Sequence, residues 1–357
     1  MNNYKIVLLS GDGIGPEISK VSKNILHKLS KKFNFNIEVK EELFGGIAYD
    51  KYGDPAPKKT IDECKTSDAV LLACVGDNKY DSLPRESRPE SGLLKLRSEL
   101  NLFANIRPVK IRSSLAEASS LKKEIVEKVD LIVVRELTGG IYFGEPRGII
   151  NKKDDARAFN TMTYSVSEIE RITNVAIEIA KKRKNKICSV DKANVLEVSQ
   201  LWREKVEELL IDNPNIELSH MYVDNAAMQL IRCPSQFDVI LTNNLFGDIL
   251  SDLAAMLTGS IGMLPSASLN NFGPGLFEPV HGSAPDIAGK NIANPIAMAL
   301  SVAMMLKIGL NEEKAAETLE KAIDKVLLLG FRTSDLNDGK SKPITCSEMG
   351  EKIVQEI

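Results

Sequence analysis

Short apolar runs alternate along the chain with longer segments in which apolar residues return every three or four positions. The short runs, rich in Val, Ile and Leu, predict strands, and the longer segments predict amphipathic helices. The predicted strands are residues 5–9, 69–75, 131–134, 186–190 and 239–242. Because such continuous apolar strands are buried on both faces, the pattern predicts an α/β fold with a mainly parallel sheet between helices.

The first predicted strand leads directly into a predicted helix. Pro16 stands where a first helical turn tolerates a missing N–H, and Ile18, Val21, Ile25 and Leu29 then form one apolar face. This part of the chain is expected to be a strand, a tight turn and a helix.

Two segments break the alternation. Residues 139–163 combine Gly, Pro and charged positions with an extended AFNTMTYS stretch, which we interpret as an arm between subunits. Residues 262–294 are rich in Gly, Pro and Ser and are predicted to form a long functional loop. The longest apolar stretch, residues 297–306, is far shorter than the roughly 20 residues of a membrane span, so no membrane partner is expected.

Composition narrows the function classes. The net charge is −3 and basic residues are interspersed with acidic ones, which argues against a nucleic-acid partner. The five cysteines are scattered without a C-x-x-C pair, so neither a disulfide framework nor a zinc site is indicated. The first apolar run ends in Gly-Asp-Gly, which suits a strand better than a signal peptide. A cytoplasmic protein is therefore expected.

Three aspartates are candidate metal ligands. Asp248 and Asp252 lie four residues apart at the start of a predicted helix, so both carboxylates project from one face. Asp224 follows an apolar run that ends in MYV. Ligands that are all oxygen favour Mg²⁺ or Mn²⁺ over zinc. The alternative is that the helix-start acids only complement the helix dipole, which is their more common role.

Three arginines are candidate anion ligands. Arg107 and Arg135 each close an apolar run, and Arg97 lies on a predicted helix before the first of them. Since ligands of open α/β sheets bind beyond the carboxyl ends of strands, these side chains are predicted to meet at one crevice. Converging guanidinium groups suit a substrate with more than one carboxylate. The alternative for any one of them is an exposed ion pair.

Two further residues are candidates for proton transfer. Lys192 ends the run KICSVDK and would face the same crevice, where an amine can serve as a general base. Tyr142, in GGIYFGEPRG, is a candidate proton donor on a loop. Either could instead be an ordinary surface residue.

Glycine-rich segments do not match the common nucleotide motifs. GDGIGPE has Gly11 and Gly13 at the spacing of a dinucleotide fingerprint, but Pro16 occupies the third glycine position. We interpret these glycines as a tight turn beside a ligand. GSAPDIAGKN likewise departs from a P-loop. His281 has no other histidine near it in sequence, so it either contacts a ligand or is structural.

Taken together, these segments resemble those of the isocitrate and isopropylmalate dehydrogenase family of decarboxylating dehydrogenases. The likeness runs from GDGIGPE to GFRTSDL, and its most specific parts are NNLFGDILSDLAA and GLFEPVHGSAPDIAGKNIANP. The resemblance implies a non-Rossmann fold of two domains around one large, mixed, mostly parallel sheet. The first domain would comprise residues 1–107 and 260–357. The second would comprise residues 108–259, with the dimer interface, the arm and the metal aspartates.

The resemblance also implies a homodimer with shared active sites and a role for each residue. Arg97, Arg107 and Arg135 would bind the malate carboxylates, and Asp224, Asp248 and Asp252 would hold Mg²⁺ or Mn²⁺. Lys192 and Asp224 would come from the partner subunit. Lys192 would remove the hydroxyl proton, and Tyr142 would protonate the enolate left by decarboxylation. The implied nucleotide contacts are Gly76, Glu90, His281, Gly282, Ser283, Ala284, Pro285, Asp286, Ile287 and Asn294.

Cofactor preference depends on the position of Asp286. Its carboxylate can accept hydrogen bonds from an adenosine ribose but would repel a 2′-phosphate, so NAD is favoured over NADP. NADP-using members of the family resemble this sequence less here, since they carry a basic residue and a tyrosine where Asp286 and Ile287 stand.

Substrate preference depends on the helix that carries Arg97. Glu90, Leu93 and Leu94 precede it, and the two leucines with Val195 would form an apolar slot for an isopropyl group. The implied reaction is the oxidative decarboxylation of 3-isopropylmalate in leucine biosynthesis. Ser91 could instead meet a third carboxylate. The alternatives are a related enzyme for malate, tartrate or homoisocitrate, or a non-catalytic nucleotide-binding subunit.

Overall fold

The structure is a computed structural model, and it describes residues 2–152, 155–337, 339 and 342–357. Its strands β1 to β12 are, in order, Asn3–Gly11, Asn36–Glu41, Ala69–Cys74, Ala104–Lys110, Asp130–Glu136, Gly148–Lys152, Asp155–Phe159, Lys186–Asp191, Glu217–Tyr222, Val239–Thr242, Pro265–Leu269 and Gly275–Pro279. Its helices α1 to α12 are Gly15–Phe33, Gly46–Tyr52, Lys58–Lys65, Pro89–Glu99, Lys123–Val126, Val166–Lys181, Glu197–Ile211, Val223–Arg232, Asn244–Ala255, Ile296–Met304, Glu313–Leu328 and Cys346–Glu356.

Ten strands form one sheet in the order β2-β1-β3-β12-β11-β4-β5-β10-β8-β9. The four strands from β2 to β12 are parallel to one another, and so are the four from β5 to β9. Between these groups lie β11 and β4, which are antiparallel to each other. β11 is also antiparallel to β12, and β4 is antiparallel to β5. The predicted mixed, mostly parallel sheet is confirmed, and its two parallel halves run in opposite directions.

The local predictions for the apolar runs are confirmed. The five predicted strands correspond to β1, β3, β5, β8 and β10. Helix α1 begins beside Pro16, and the four apolar residues of its predicted face are all buried. Continuous apolar runs and a 3.6-residue period are therefore reliable signals in this chain, because both reflect burial against the sheet.

The prediction of one long loop over residues 262–294 is wrong in its first half, which contains β11 and β12. Ser266 and Ser268 interrupt the apolar pattern of β11, although both are buried. The Ser266 hydroxyl donates to the backbone oxygen of Glu278 at 3.1 Å, and the Ser268 hydroxyl accepts from Asn105 at 3.0 Å. Small polar residues can occupy a central strand when their hydrogen-bond partners lie in the same sheet. Such a strand then lacks the apolar pattern from which a strand is predicted.

The buried apolar side chains form four clusters. Two of them take their residues from 6–102 and 263–357, with Leu115 as the one addition. The other two take theirs from residues 103–264. The N-terminal and C-terminal parts of the chain therefore share one region of the core, and the middle of the chain fills another.

The turn after β1 joins three segments through the buried carboxylate of Asp12. This carboxylate accepts backbone N–H groups at 2.8–2.9 Å from Gly46, Ile47 and Gly76. Gly11 and Gly13 have φ values of 64° and 55°, and a Cβ on either would lie within 2.0 Å of a backbone oxygen. The predicted tight turn is confirmed, because only glycine tolerates both this backbone conformation and this approach.

β6 and β7 form a two-stranded antiparallel hairpin apart from the large sheet. Its described side chains are exposed, including the apolar Ile149, Ile150 and Phe159. Residues 153–154, which belong to the predicted arm, lie outside the described residues. The hairpin has no buried core of its own among its described residues.

All five cysteines are free, as the sequence predicts, and Cys233 is the exposed one. Burial raises the pKa of the thiols of Cys64, Cys74 and Cys346 to about 12. Across the part of the chain that the structure describes, no helix is long and apolar enough to cross a membrane.

Candidate active site

The three predicted arginines line one cleft of about 610 Å³. Arg97 comes from α4, Arg107 from β4 and Arg135 from β5, and all three are buried. Tyr142 and Asp248 border the same space. Because the cleft gathers three guanidinium groups, it is suited to an anion with more than one carboxylate.

The predicted reason for this convergence is wrong, although the residues do meet. Arg107 lies in the middle of β4 rather than at its end, and β4 and β5 are antiparallel, so their carboxyl ends lie at opposite edges. Across the two strands, Arg107 pairs with Val133 and Asn105 pairs with Arg135. Alternate residues of a strand share a face, so both arginines project from the same face of the sheet. The two arginines therefore reach the cleft from the central strands, while the carboxyl ends of the parallel strands β3 and β12 also border it.

Neutral polar groups hold two of the guanidinium groups in place. Arg107 donates to Asn105 Oδ1 at 2.7 Å and to Ser251 Oγ at 2.6 Å. Arg135 donates twice to Asn244 Oδ1, at 3.1 and 2.7 Å. Burial lowers the pKa of Arg107, and burial together with the charge of Arg107 lowers the pKa of Arg135 to about 10. Both remain cations at neutral pH, and two buried cations side by side favour an anionic ligand.

Arg97 has an ionic partner that the sequence analysis did not identify. Its Nη2 lies 2.8 Å from Oε1 of Glu278 on β12, and both side chains are buried. The Nε of Arg97 is buried without a hydrogen-bond partner among the described residues. This donor remains available to a ligand.

Asp248 and Asp252 lie one turn apart on α9, as predicted, but neither lies in its first turn, so the predicted position at the helix start is wrong and the helix-dipole alternative loses its basis. Asp248 accepts hydrogen bonds from Arg135 and, at 3.1 Å, from Tyr142 Oη. Burial would raise the pKa of Asp248, but the charges of Arg135 and Arg107 outweigh it, and the pKa is lowered. Burial does raise the pKa of Asp252, whose Oδ1 lies 3.2 Å from Arg107 Nη1. Burial and the Asp248 charge together raise the pKa of Tyr142.

Lys192 and Asp224 lie outside this cleft and contact each other. Lys192 directly follows β8, and its Nζ lies 2.6 Å from Oδ1 of Asp224 at the start of α8. Val195 is exposed and also lies outside the cleft. No group of three acidic, His or Cys side chains that could hold a metal occurs in residues 2–152, 155–337, 339 and 342–357 of the single chain. One chain therefore brings together two of the three predicted metal ligands.

Helix α4 places an apolar patch beside the arginines. Leu93 and Leu94 line the cleft, and Glu90 lies next to them at its border. The hydroxyl of Ser91 donates to the backbone oxygen of Arg85 at 2.5 Å. Since this hydroxyl is already engaged by its own loop, Ser91 is poorly placed to bind a third carboxylate.

A second cleft of about 380 Å³ adjoins the first. His281 and Gly282 line both cavities, whereas Ala284, Ile287 and Asn294 line only the second. The two cavities therefore share one wall, which suits an elongated ligand with two parts.

The segment that separates the two clefts is anchored to the turn after β1. The hydroxyl of Ser283 donates to the backbone oxygen of Gly76 at 2.5 Å. The backbone carbonyl of Ser283 accepts a hydrogen bond from the N–H of Ile14 at 2.9 Å. His281 Nδ1 lies 2.8 Å from Gly282 O, while its buried Nε2 has no partner among the described residues. Burial lowers the pKa of His281, so this imidazole is neutral at neutral pH. Pro285 and Asp286 lie exposed on the following turn.

Several residues of the site were missed by the sequence analysis. Glu278 is a charged residue inside the apolar run GLFEPV. A charge in a predicted buried strand needs a partner, so this position could have indicated a buried ion pair. The side chain of Asn244 accepts hydrogen bonds from Arg135, whereas the side chain of its neighbour Asn243 accepts from Phe246 N and caps α9. No pattern in the amino-acid sequence distinguishes these two asparagines. In the second cleft, the carboxylate of Asp335 accepts a hydrogen bond from the side chain of Asn294 at 2.9 Å. The two residues are far apart in sequence, so a local pattern could not predict this contact.

The fold and cleft define a family of dehydrogenases. The chain matches the family model for isocitrate/isopropylmalate dehydrogenase over residues 5–353, and it belongs to this family. An isocitrate dehydrogenase structure from Methylococcus capsulatus matches with a TM-score of 0.88 and 34% identity, covering 99% of both chains. A beta-decarboxylating dehydrogenase from Thermococcus kodakarensis matches with a TM-score of 0.79 and 32% identity, covering 99% of this chain and 96% of that one.

Several curated relatives carry one particular name. A 3-isopropylmalate dehydrogenase of Prochlorococcus marinus (strain MIT 9312) is 75% identical over 357 residues, which is the whole of both chains. A 3-isopropylmalate dehydrogenase of Synechococcus sp. (strain CC9902) is 60% identical, again over the full length of both. The similarity therefore extends over the whole length of the chain.

Proposed function

We propose that the protein catalyses the NAD-dependent oxidative decarboxylation of (2R,3S)-3-isopropylmalate to 4-methyl-2-oxopentanoate and CO₂, in leucine biosynthesis. The observation that carries this proposal is the position of Leu93 and Leu94 beside three buried arginines in one cleft. A substrate with two carboxylates and one apolar substituent matches that lining. The 75% identity to a relative named 3-isopropylmalate dehydrogenase supports the same assignment.

The aspartates of α9 fit a divalent cation. Their side chains are 38% and 57% exposed, and they offer carboxylate oxygens of the kind that Mg²⁺ and Mn²⁺ prefer. Asp248 and Asp252, together with Asp224 from a second chain, are the residues that would hold it. A cation held there would supply Lewis acidity toward the oxygen on C2 of the substrate, and NAD would supply the acceptor for the hydride.

Lys192 and Tyr142 would divide the two proton transfers. The Lys192 amine takes the proton of the substrate 2-hydroxyl during the oxidation, and Tyr142 donates a proton to C3 after CO₂ leaves. The position of Tyr142 Oη, 3.1 Å from Asp248 at the border of the cleft, supports the second role. The arginines hold the substrate carboxylates throughout.

The active site is proposed to be shared between two copies of this chain. Lys192 and Asp224 lie outside the cleft of their own chain, which supports their supply to this cleft by a second chain. Helices α8 and α9 pack together and leave Met228, Ile231 and Ile249 exposed as an apolar surface. A twofold-related copy would cover this surface with its own equivalent.

A division into two domains accompanies this proposal. Residues 1–107 and 260–357 would form the first domain, and residues 108–259 would form the second. The distribution of the four buried clusters supports it, since few residues cross between these groups and all of them except Leu115 lie within five residues of a boundary, namely Phe103, Ala104, Ile106 and Leu264.

The second cleft is the proposed site of the adenosine part of NAD. Ala284 and Ile287 line it, and the exposed Asp286 lies between them on the same turn. Exchange of Asp286 for lysine together with Ile287 for tyrosine is expected to raise kcat/KM for NADP and lower it for NAD, each at least about tenfold. The physical reason is that a 2′-phosphate is repelled by the carboxylate and attracted by the amine.

Steady-state kinetics with both nucleotides will check this exchange. The matched control is Asp62→Lys, which makes the same charge change at an exposed position of α3 and should leave the preference unaltered. An unchanged NAD/NADP ratio in the double variant would contradict the role of Asp286.

Substrate identity is tested with a panel of 3-substituted malates. We expect 3-isopropylmalate to have the highest kcat/KM, with alkyl groups one methylene larger or smaller about 10- to 200-fold less favoured. Malate, tartrate and homoisocitrate are the competing substrates. The engagement of the Ser91 hydroxyl by Arg85 O argues against the third carboxylate of homoisocitrate. A higher kcat/KM for any competitor would refute the assignment.

A non-catalytic nucleotide-binding subunit is the alternative from another class. Such a subunit has no need of Lys192, Tyr142 or the three aspartates, yet all five are present. Absence of turnover with every substrate of the panel, in a protein that still binds NAD, would favour this alternative.

A further inference from the structure

The ammonium of Lys192 has a second neighbour besides Asp224. Its Nζ lies 5.9 Å from the centroid of the Tyr222 ring. Tyr222 ends β9 and pairs directly with Asp191, the last residue of β8, so the sheet fixes the backbone of Tyr222 beside that of Lys192. A cation within about 6 Å of an aromatic face is attracted by the ring quadrupole.

A second cation contacts the same ring. The guanidinium carbon of Arg203, on α7, lies 5.3 Å from the Tyr222 centroid. Arg203 is bound to the buried carboxylate of Asp191 through two hydrogen bonds, at 2.9 and 2.8 Å. Such a bidentate pair has a defined geometry, so Arg203 restricts the movement of the ring.

Asp191 also orders the backbone on both sides of Lys192. Its Oδ1 accepts the N–H of Ala193 at 2.9 Å, while the residue itself is held in β8. His220 and Glu207 complete the surroundings of this carboxylate, with His220 Nδ1 at 4.0 Å from it and Nε2 at 3.1 Å from Glu207. The backbone of Lys192 is therefore fixed, whereas its long side chain needs a further contact to be ordered.

We propose that Tyr222 is a positioning residue for Lys192, with Arg203 and Asp191 holding its ring in place. The ring face limits the conformations of the flexible lysine side chain, by attraction while Nζ is charged and by contact alone once it is the neutral amine that takes the proton, and so keeps Nζ next to Asp224. This inference rests on the proposed function, because it assigns Tyr222 a role only through Lys192.

Two substitutions of Tyr222 separate the ring from the hydroxyl. Tyr222→Leu removes the aromatic face and is expected to lower kcat about 10- to 100-fold, as a misplaced catalytic group does, with KM for NAD and for 3-isopropylmalate within twofold. Tyr222→Phe keeps the face and should restore kcat to within about twofold of the unaltered enzyme. A residue with a merely structural role would lower stability without this separation of kcat from KM.

A matched control lies elsewhere on the surface. Lys51 Nζ is 5.2 Å from the Tyr52 ring centroid, so Tyr52→Leu removes a contact of the same kind away from the site and should leave kcat unchanged. Arg203→Met is a second variant that tests the same inference. It keeps Tyr222 but removes the cation that restricts its ring, so it should also lower kcat with little change in KM. It keeps the inference testable if Tyr222→Leu does not fold.

The experiment distinguishes failure of the inference from failure of the proposed function. Measurement of Lys192→Ala in parallel reports the role of the lysine itself. If Lys192→Ala loses turnover while folded Tyr222→Leu and Arg203→Met keep kcat within twofold, the inference is overturned and the proposed function stands. If Tyr222→Phe loses as much activity as Tyr222→Leu, the ring face is not the cause and the inference is likewise overturned. Retained turnover in Lys192→Ala would instead reject the proposed role of the lysine.

Discussion

Replacement of Lys192 by alanine is expected to lower kcat by roughly 10²- to 10⁴-fold, the usual contribution of a positioned general base. Binding of NAD should be little affected, because Lys192 is assigned to the substrate part of the shared site and not to the second cleft, which is the proposed adenosine site. The measurement is kcat with 3-isopropylmalate, together with the Kd for NAD from titration calorimetry. Removal of the lysine also leaves Asp224 without its ion pair at 2.6 Å, although this pair is exposed enough for little change in stability.

The control for this substitution is Lys186→Ala. Lys186 begins the same strand and pairs with Glu217 on the surface, so its loss should leave kcat unchanged. A kcat for Lys192→Ala within tenfold of the unaltered enzyme would contradict the proposed role.

Mixed dimers extend this prediction to the shared site. If Lys192 of one chain serves the cleft of the other, a dimer of one Lys192→Ala chain and one Tyr142→Phe chain has one site with both residues intact. Two inactive preparations, co-refolded in equal amounts, should then recover about one quarter of full activity, since half of the dimers are mixed and each has one intact site. No recovery in dimers shown to be mixed would mean that each site uses residues of a single chain.

Replacement of Arg135 by alanine is expected to lower kcat/KM by roughly 10²- to 10³-fold, which corresponds to about 3 to 4 kcal/mol of transition-state stabilisation. The substrate loses a buried cationic partner, and Asp248 loses its closest charge. The acceptor of Asn244 is also left without its two donors. Stability should fall by about 1 to 3 kcal/mol, because this buried amide oxygen is left unsatisfied, whereas the partly exposed Asp248 is still reached by water. Kinetics and thermal unfolding together measure both effects.

Arg183→Met is the control for the loss of a paired, partly buried arginine. Arg183 pairs with Asp130 and Asp238 on another part of the sheet, away from the cleft. This substitution should lower stability in the same way while leaving kcat/KM of the folded protein unchanged. Equal kinetic losses in the two variants would show that Arg135 acts only through stability. Arg135→Lys should recover part of the charge interaction but not the two bonds to Asn244.

The amino-acid pattern was sufficient for the elements with strong periodicity. The apolar runs of β1, β3, β5, β8 and β10 are buried on both faces, so burial and sequence carry the same information. Spacing of four residues likewise placed Asp248 and Asp252 on one helix face. These features are local, and local features can be read from neighbouring residues.

What could not be predicted depends on distant parts of the chain. The antiparallel centre of the sheet, which sets Arg107 opposite Val133, is a matter of strand order that no single run encodes. The Arg97–Glu278 pair joins residues 181 positions apart. The relation of Lys192 and Asp224 to the cleft is more distant still, since it involves a second copy of the chain under the proposed function.

The pairing of β3 with β12 has a consequence for how the chain is made. A ribosome releases β1 and β3 early, but β12 and the helix α12 that packs on α1 emerge only near the end of synthesis. At about 5 to 20 residues per second, this delay lasts tens of seconds, during which residues 103–264 can complete their own clusters. The strands β1, β2 and β3 can pair with one another early, but nascent chains must carry the apolar β3 with one edge unpaired for that interval, and this edge is the part that a chaperone would need to protect from aggregation.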